Sequence, residues 1–303
     1  LKNKICILAL CFIMLFTGCG NKHSSDIENK IDINVKKNDN ININILTTDK
    51  LLYFMTKDIV KEKHFVEYMF KNRQDEINFT YSKDSLNNVA KQDLFFYNGA
   101  GLEPWANEFL DKLNKSRVGV INVSRGINLL GYTKQVKYKD SILKDNPYYW
   151  LNIDNYKIAL LNIKNSLQDK DPKNGNYYEE NFSNQLKQIQ KYEKEIREIS
   201  TKLKDYAILY NEDELDYFIK YSNFNALRAE EEEKNNFKDI EAQLKEKKVI
   251  FLYNDKKQLE ENKETIKKYN IKYTNLLLYK ENENYIKLLE YNIHNLNALI
   301  EKL

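Results

Sequence analysis

Histidine and cysteine, the residues that most often carry metal and nucleophilic chemistry, are scarce: the 303-residue chain has three of each. Cys6, Cys11 and Cys19 all sit at the start, so the body of the protein has no disulfide framework. His23, His64 and His294 are far apart, and a site with two or three imidazoles would have to draw them from distant segments. An excess of one charge is missing too. Net charge is +3, from 48 Lys and Arg against 45 Asp and Glu, without a dense basic cluster, which removes the usual argument for a nucleic-acid partner. There is no nucleophile elbow, no phosphate-cradling glycine loop and no histidine placed as base for a serine or cysteine. The glycines of Asn98-Gly99-Ala100-Gly101 do not make a dinucleotide fingerprint, and the paired carboxylates fall in helical charge patterns. These absences argue against an enzyme.

The apolar run at residues 5–16 is short for a membrane span. Lys2 and Lys4 precede it, and Thr17, Gly18 and Cys19 follow, so residues 1–18 read as a secretory signal. Residues 19–40 are polar and unpatterned, as in a flexible tether.

The body is organised around residues 171–205. Tyr178, Phe182, Leu186, Ile189, Tyr192, Ile196, Ile199 and Leu203 recur in steps of three and four, one stripe of a helix. Asp171-Pro172 and Asn174-Gly175 punctuate its start, and neither Pro nor Gly follows. A helix over residues 176–204 would run roughly 43 Å. That length suits a rigid spine between an N-terminal lobe, residues 41–170, and a C-terminal lobe, residues 206–303. In the first lobe, strands are expected at 41–46, 65–70, 93–97 and 118–123, with helices at 50–62 and 82–91 and after Pro104. In the second, strands are expected at 207–210, 249–253 and within 273–279. Helices are expected there at 215–221, 237–247, 256–269 and 285–303, with a solvated charge run at 230–233. Strand–helix alternation on both sides predicts an α/β protein with two mainly parallel sheets flanked by helices. Ligands of such sheets sit beyond the carboxyl ends of the strands. His294, beside the terminal apolar stripe, reads as a packing or surface residue, and His64, at a helix end, is assigned no role.

Three segments carry a more specific resemblance. The strand Asp93-Leu94-Phe95-Phe96-Tyr97 runs into Asn98-Gly99-Ala100-Gly101-Leu102-Glu103-Pro104-Trp105. Asn122-Val123-Ser124-Arg125-Gly126-Ile127 follows, then Asn146-Pro147-Tyr148-Tyr149-Trp150-Leu151-Asn152. Together they resemble the cluster A-I substrate-binding proteins, the zinc- and manganese-binding lipoproteins of bacterial metal ABC transporters. Phe16-Thr17-Gly18-Cys19 likewise resembles a lipobox, which would make Cys19 the lipidated first residue of the mature chain. The resemblance implies an extracytoplasmic monomer anchored to the membrane by lipid. It implies two α/β lobes on a rigid helix with little hinge motion, and an ABC permease as partner. It also implies a metal held between the lobes by two residues from each, typically three histidines and one acid, a donor set that suits zinc or manganese.

Carried over position by position, those ligands fall on Ile77, Tyr148, Glu212 (or its neighbours Asn211 and Asp213) and Tyr279. Isoleucine cannot ligate, and a phenol with pKa near 10 is a poor ligand. Only Glu212 could coordinate. The histidine-rich loop of zinc-binding members is replaced at residues 133–146 by a lysine-containing segment. Zinc or manganese is therefore implied by the family alone, and the inherited metal site is expected to be nonfunctional. Three alternatives stay open. Glu212, Glu76, Asp75 and Asp213 could form an all-oxygen site for manganese or calcium. Phe79, Tyr148, Tyr149, Glu212 and Tyr279 could line a cleft for an organic ligand. A lobe surface could act as an adhesin.

Overall fold

The central strands of each sheet are buried on both faces because both faces are covered. In the first sheet, β1 (Asn44–Thr47), β2 (Phe65–Tyr68), β3 (Leu94–Tyr97) and β4 (Gly119–Asn122) run parallel in the order β2-β1-β3-β4. A hairpin of β5 (Gly131–Tyr138) and β6 (Ser141–Asp145) follows. In the second sheet, β7 (Ala207–Tyr210), β8 (Ala226–Arg228), β9 (Val249–Tyr253) and β10 (Lys272–Asn275) run parallel in the order β10-β9-β7-β8. Neighbouring strand residues point to opposite sides. Ile45, Phe96, Ile208 and Ile250 enter one continuous core shared by both sheets. Leu46 and Phe95 enter a separate cluster with Trp105 and Phe109, and Leu209 and Phe251 enter another with Ile266 and Ile271. This two-sided burial is why β3, β7 and β9 read as unbroken apolar runs. The computed structural model describes residues 42–113, 116–138, 141–229, 244–245, 248–280 and 282–303. The signal segment, Cys19, the tether, the charge run at 230–233 and most of the expected helix at 237–247 lie outside the described residues.

The helices are α1 (Lys50–Val60), α2 (Arg73–Ile77), α3 (Lys83–Ala90), α4 (Ala106–Leu113), α5 (Ile153–Lys170), α6 (Gly175–Lys202), α7 (Asp216–Ser222), α8 (Lys256–Glu261), α9 (Lys263–Lys268) and α10 (Tyr285–Ile300). The expected spine is α6, 28 residues long, or about 42 Å. Its stripe packs on α1 and α5 from the first lobe and on α7 and α10 from the second. Gln185 is buried on that face, while Leu186 is only half buried.

The entry to α6 is held by a buried hydrogen-bond chain. Tyr178 donates to Asp171 Oδ2 at 2.6 Å and meets His64 Nε2, while His64 Nδ1 accepts from Ile43 N at 3.4 Å. Burial pushes the His64 pKa down despite Asp171, and a neutral ring protonated on Nε2 satisfies every bond. His64, assigned no role from the sequence, thus ties the residue before β1 to the start of the spine.

Several segments differ from expectation. The single helix expected at 256–269 is two short helices broken at the buried Asn262, whose side chain returns to Gln258 O at 2.7 Å. The lysine-containing segment at 133–146 is largely the β5–β6 hairpin. The last strand ends at Asn275, and residues 276–279 leave the sheet. The helices α2 and α5 and the strand β8 have no counterpart in the sequence reading.

Candidate functional site

A cavity of 310 Å³ opens where the two lobes meet, beyond the carboxyl ends of strands from both sheets. Asp49 follows β1, Arg73 and Glu76 lie on α2 after β2, and Leu102 follows β3. From the second lobe come Asn254 after β9 and Leu277 to Tyr279 after β10. Tyr148 and Trp150 complete the wall.

The segment from Asn98 to Trp105 builds the first-lobe side. Gly99 has φ +71°, and a Cβ there would collide with the side chains of Asn122 and Ser124. The tight turn brings the backbone N–H groups of Asn98 and Gly99 onto the buried Glu103 carboxylate at 2.7 and 3.0 Å, and the Thr48 hydroxyl donates to it at 2.7 Å. Trp105 Nε1 donates to Glu76 O at 2.8 Å and so pins α2, whose N-cap is Asn72. Arg73 Nη1 donates to Leu102 O and, at 3.0 Å, to Glu76 Oε2. The same loop therefore positions Arg73 and Glu76 of α2.

The Asn146–Asn152 segment fastens the cavity to the second lobe. Trp150 Nε1 donates to Leu278 O at 2.8 Å, and Tyr285 donates to Trp150 O at 2.8 Å. Tyr217 donates to Asn146 O at 3.0 Å, and Asn146 Oδ1 accepts from Tyr148 N at 3.1 Å. Asn292 holds Leu277 from both sides, at 2.8 and 3.0 Å.

Electrostatically the cavity is uneven. Glu76 is 2% exposed, and its Oε1 has no hydrogen-bond partner. Burial raises its pKa well above the usual carboxylate range, and the neighbouring Asp49 and Glu103 push the same way, against Arg73. Asp49 is also raised by burial, although Leu52 N and Asn98 Nδ2 donate to it at 2.8 and 2.9 Å. Burial and Glu214 raise the Tyr148 phenol, while a hydrogen bond from Arg73 lowers it.

Of the five side chains expected to line a cleft, Tyr148 and Tyr279 do so. Phe79 does not: it packs edge-on to Phe70 and Trp105, at centroid distances of 5.0 and 4.9 Å, inside the outer aromatic cluster. Tyr149 is fully buried behind the cavity and donates to Asn98 Oδ1 at 3.3 Å. Glu212 is outside the cavity wall, with its carboxylate 4.0 Å from Lys134 Nζ, which also donates to Asn211 O at 3.2 Å. Ile77, the last residue of α2, is half buried and also outside the wall.

The four acids of the all-oxygen alternative do not converge. Asp75 is exposed and takes Asn72 Nδ2 at 2.8 Å, Asp213 binds Arg228, and Glu76 binds Arg73. Among the described residues no group of three or more His, Cys, Asp or Glu is placed to hold a metal ion. The sequence reading did not single out Arg73, and its rarity was the available signal. The chain has only five arginines among its 48 Lys and Arg, so an arginine departs from the lysine-rich background.

The family profile described as ZnuA, zinc-uptake complex component A, periplasmic, matches residues 45–299. The metal ABC transporter substrate-binding lipoprotein of Lactococcus lactis subsp. lactis is 27% identical over 190 residues, 61% of this chain and 56% of the relative. The manganese ABC transporter substrate-binding lipoprotein PsaA of Streptococcus pneumoniae is 27% identical over 209 residues, 65% of this chain and 61% of the relative. Each match thus spans less than two thirds of the relative's own length. Among solved structures, the Zn(II)-bound ZnuA-like domain of Streptococcus pneumoniae AdcA superposes with a TM-score of 0.66 at 20% identity, over 86% of this chain and 98% of that one. The Bacillus subtilis metal-dependent lipoprotein YcdH gives 0.68 at 20% identity, over 86% and 99%. These neighbours share the fold of two α/β lobes on a long helix, and with its profile matched from residue 45 to residue 299 the chain belongs to the ZnuA family.

Proposed function

We propose that this protein is an extracytoplasmic substrate-binding subunit of a metal-type ABC transporter in which the inherited metal site has been lost. It is a binding protein rather than an enzyme. Lipid on Cys19 would anchor it, residues 19–40 would form the tether, and an ABC permease would receive its ligand. The lipoprotein names of its relatives support this anchoring. No helix among the described residues is long and apolar enough to cross a membrane.

One observation carries the loss of the metal site: Glu76 and Glu212, the acids beside and at old ligand positions, each face a cation of the protein itself. Arg73 lies on Glu76, and Lys134 stands 4.0 Å from Glu212. A divalent ion would have to displace a tethered positive charge at either place. The remaining family positions hold Ile77, Tyr148 and Tyr279, which offer no good ligand at neutral pH. The test is calorimetric titration of the purified, chelator-stripped chain with zinc and with manganese. Neither metal should bind tightly. Stoichiometric tight binding of either would overturn the reading, and Glu212→Ala would then show whether the old position is used.

A further inference from the structure

A cavity of 310 Å³ falls in the range of small-molecule sites, about 300–1,000 Å³, and is far larger than a single coordinated ion needs. Much of its wall is apolar: Phe70, Leu102, Trp150, Leu277 and Tyr279. Its charged groups are of both signs: Asp49 and Glu76 against Arg73, Lys71 and the buried Lys50, whose Nζ donates to Asn282 Oδ1 at 2.7 Å. Arg73 spends Nη1 on Glu76 and Leu102 O, and the guanidinium also reaches the Tyr148 hydroxyl. A guanidinium has five N–H donors in a planar fork, so donors remain for a carboxylate. Lys71, exposed at the same wall, adds positive potential. Beside Arg73 is the opposite need. Glu76 Oε1 is buried without a partner, and the buried carboxyls of Asp49 and Glu103 lie near enough to act on it. A positive charge brought there would relieve all three. Arg73 and Glu76 are three residues apart on α2, so their heads sit side by side on one helical face. That matches a ligand whose own opposite charges are adjacent.

We propose that this cavity takes a small zwitterion of the α-amino-acid type with an apolar or aromatic side chain. Its carboxylate meets the Arg73 fork, its ammonium meets the Glu76 carboxylate, and its side chain lies against Trp150, Tyr279 and Leu277. The proposal rests on the loss of the metal site and names what replaces the metal. A simple amine would leave Arg73 unanswered, and a simple carboxylate would leave Glu76 so. A site with buried polar groups discriminates strongly against analogues that leave those groups unpaired.

The experiment screens the chelator-stripped whole chain by thermal shift and calorimetry. The probes are the full set of protein L-amino acids, tyramine (ammonium only), 3-(4-hydroxyphenyl)propanoate (carboxylate only), and, separately, manganese and zinc chlorides. An apolar or aromatic amino acid should bind, with tyramine and the propanoate each weaker than tyrosine by about tenfold or more. Glu76→Gln and Arg73→Lys should each weaken the amino acid by a similar factor, and the analogue series on the unmodified chain decides the matter if either variant folds poorly. Half-analogues that bind as well as the amino acid would overturn the proposal. So would a silent amino-acid screen: if the metals were also silent, the metal-loss reading would survive alone, and if either metal bound tightly, both readings would fall together.

Discussion

Two arginine–carboxylate pairs, Arg228 with Asp213 and Arg73 with Glu76, share one chemistry and differ in completeness. Asp213 accepts from Thr133 N and Oγ1 at 2.9 and 2.6 Å, from Lys134 N at 3.3 Å and from Arg228, which also grips Asp216 at 2.8 and 3.0 Å. Both its oxygens are engaged, and the result is an anchor that fastens the β5–β6 hairpin to the second lobe. Glu76 has one oxygen engaged and the other buried without a partner. A saturated carboxylate holds structure together, and a starved one is maintained at some expense in stability. Of these two, the starved one faces the cavity.

The contrast can be broken by substitution, beginning where the effect should be largest. Asp213→Ala leaves Arg228 and the hairpin amides without their acceptor and should lower stability by about 3–5 kcal/mol in denaturant unfolding. Tyr178→Phe removes the donor to another well-served carboxylate, Asp171, which also takes Asn174 Nδ2 at 2.6 Å. It should cost about 2 kcal/mol by the same measurement. Asp58 belongs with the starved group. Its Oδ2 has no partner, Lys61 is 3.8 Å from the other oxygen, and burial raises its pKa to about 6. A raised carboxyl pKa means that the folded state holds a proton the unfolded chain releases, so this group's contribution is present below about pH 4 and is lost as pH rises toward 6. Asp58→Asn should remove that slope and stabilise the protein at pH 7 by about 1–2 kcal/mol, read from melts at pH 4 and pH 7. Glu76→Gln should change stability least, within about 1 kcal/mol, because the amide oxygen still accepts from Arg73 while the repulsion from Asp49 and Glu103 disappears. A loss at Glu76 as large as that at Asp213 would erase the distinction.

The same contrast explains what could be read from the chain in advance. Strands buried on both faces declare themselves as apolar runs, and the stripe of α6 is long enough for its period to be unmistakable. The five residues of α2 are too few to show a period, and the buried Lys164, paired with Glu179 at 2.7 Å, interrupts the apolar pattern of α5. For the site, Tyr148 and Tyr279 were legible through position, but aromatic character could not separate a wall from a core. Phe79 and Tyr149 are apolar or amphipathic in the same way and are spent on packing. Arg73 and Glu76 form a site only because the Asn98–Trp105 turn folds back onto α2, a contact between segments some thirty residues apart that no local pattern encodes.

The core that runs unbroken from Ile45 through Ile163 and Ile196 to Ile250 has a consequence for traffic through the cavity. Swinging one lobe away from the other would strip apolar surface from the middle of the molecule, at about 25 cal/mol for every Å² uncovered, and would have to bend a helix with no glycine or proline after its first residue. The short helix α2 is latched mainly through the Trp105 indole and the Arg73 head. A change confined to that five-residue turn would leave the shared core covered.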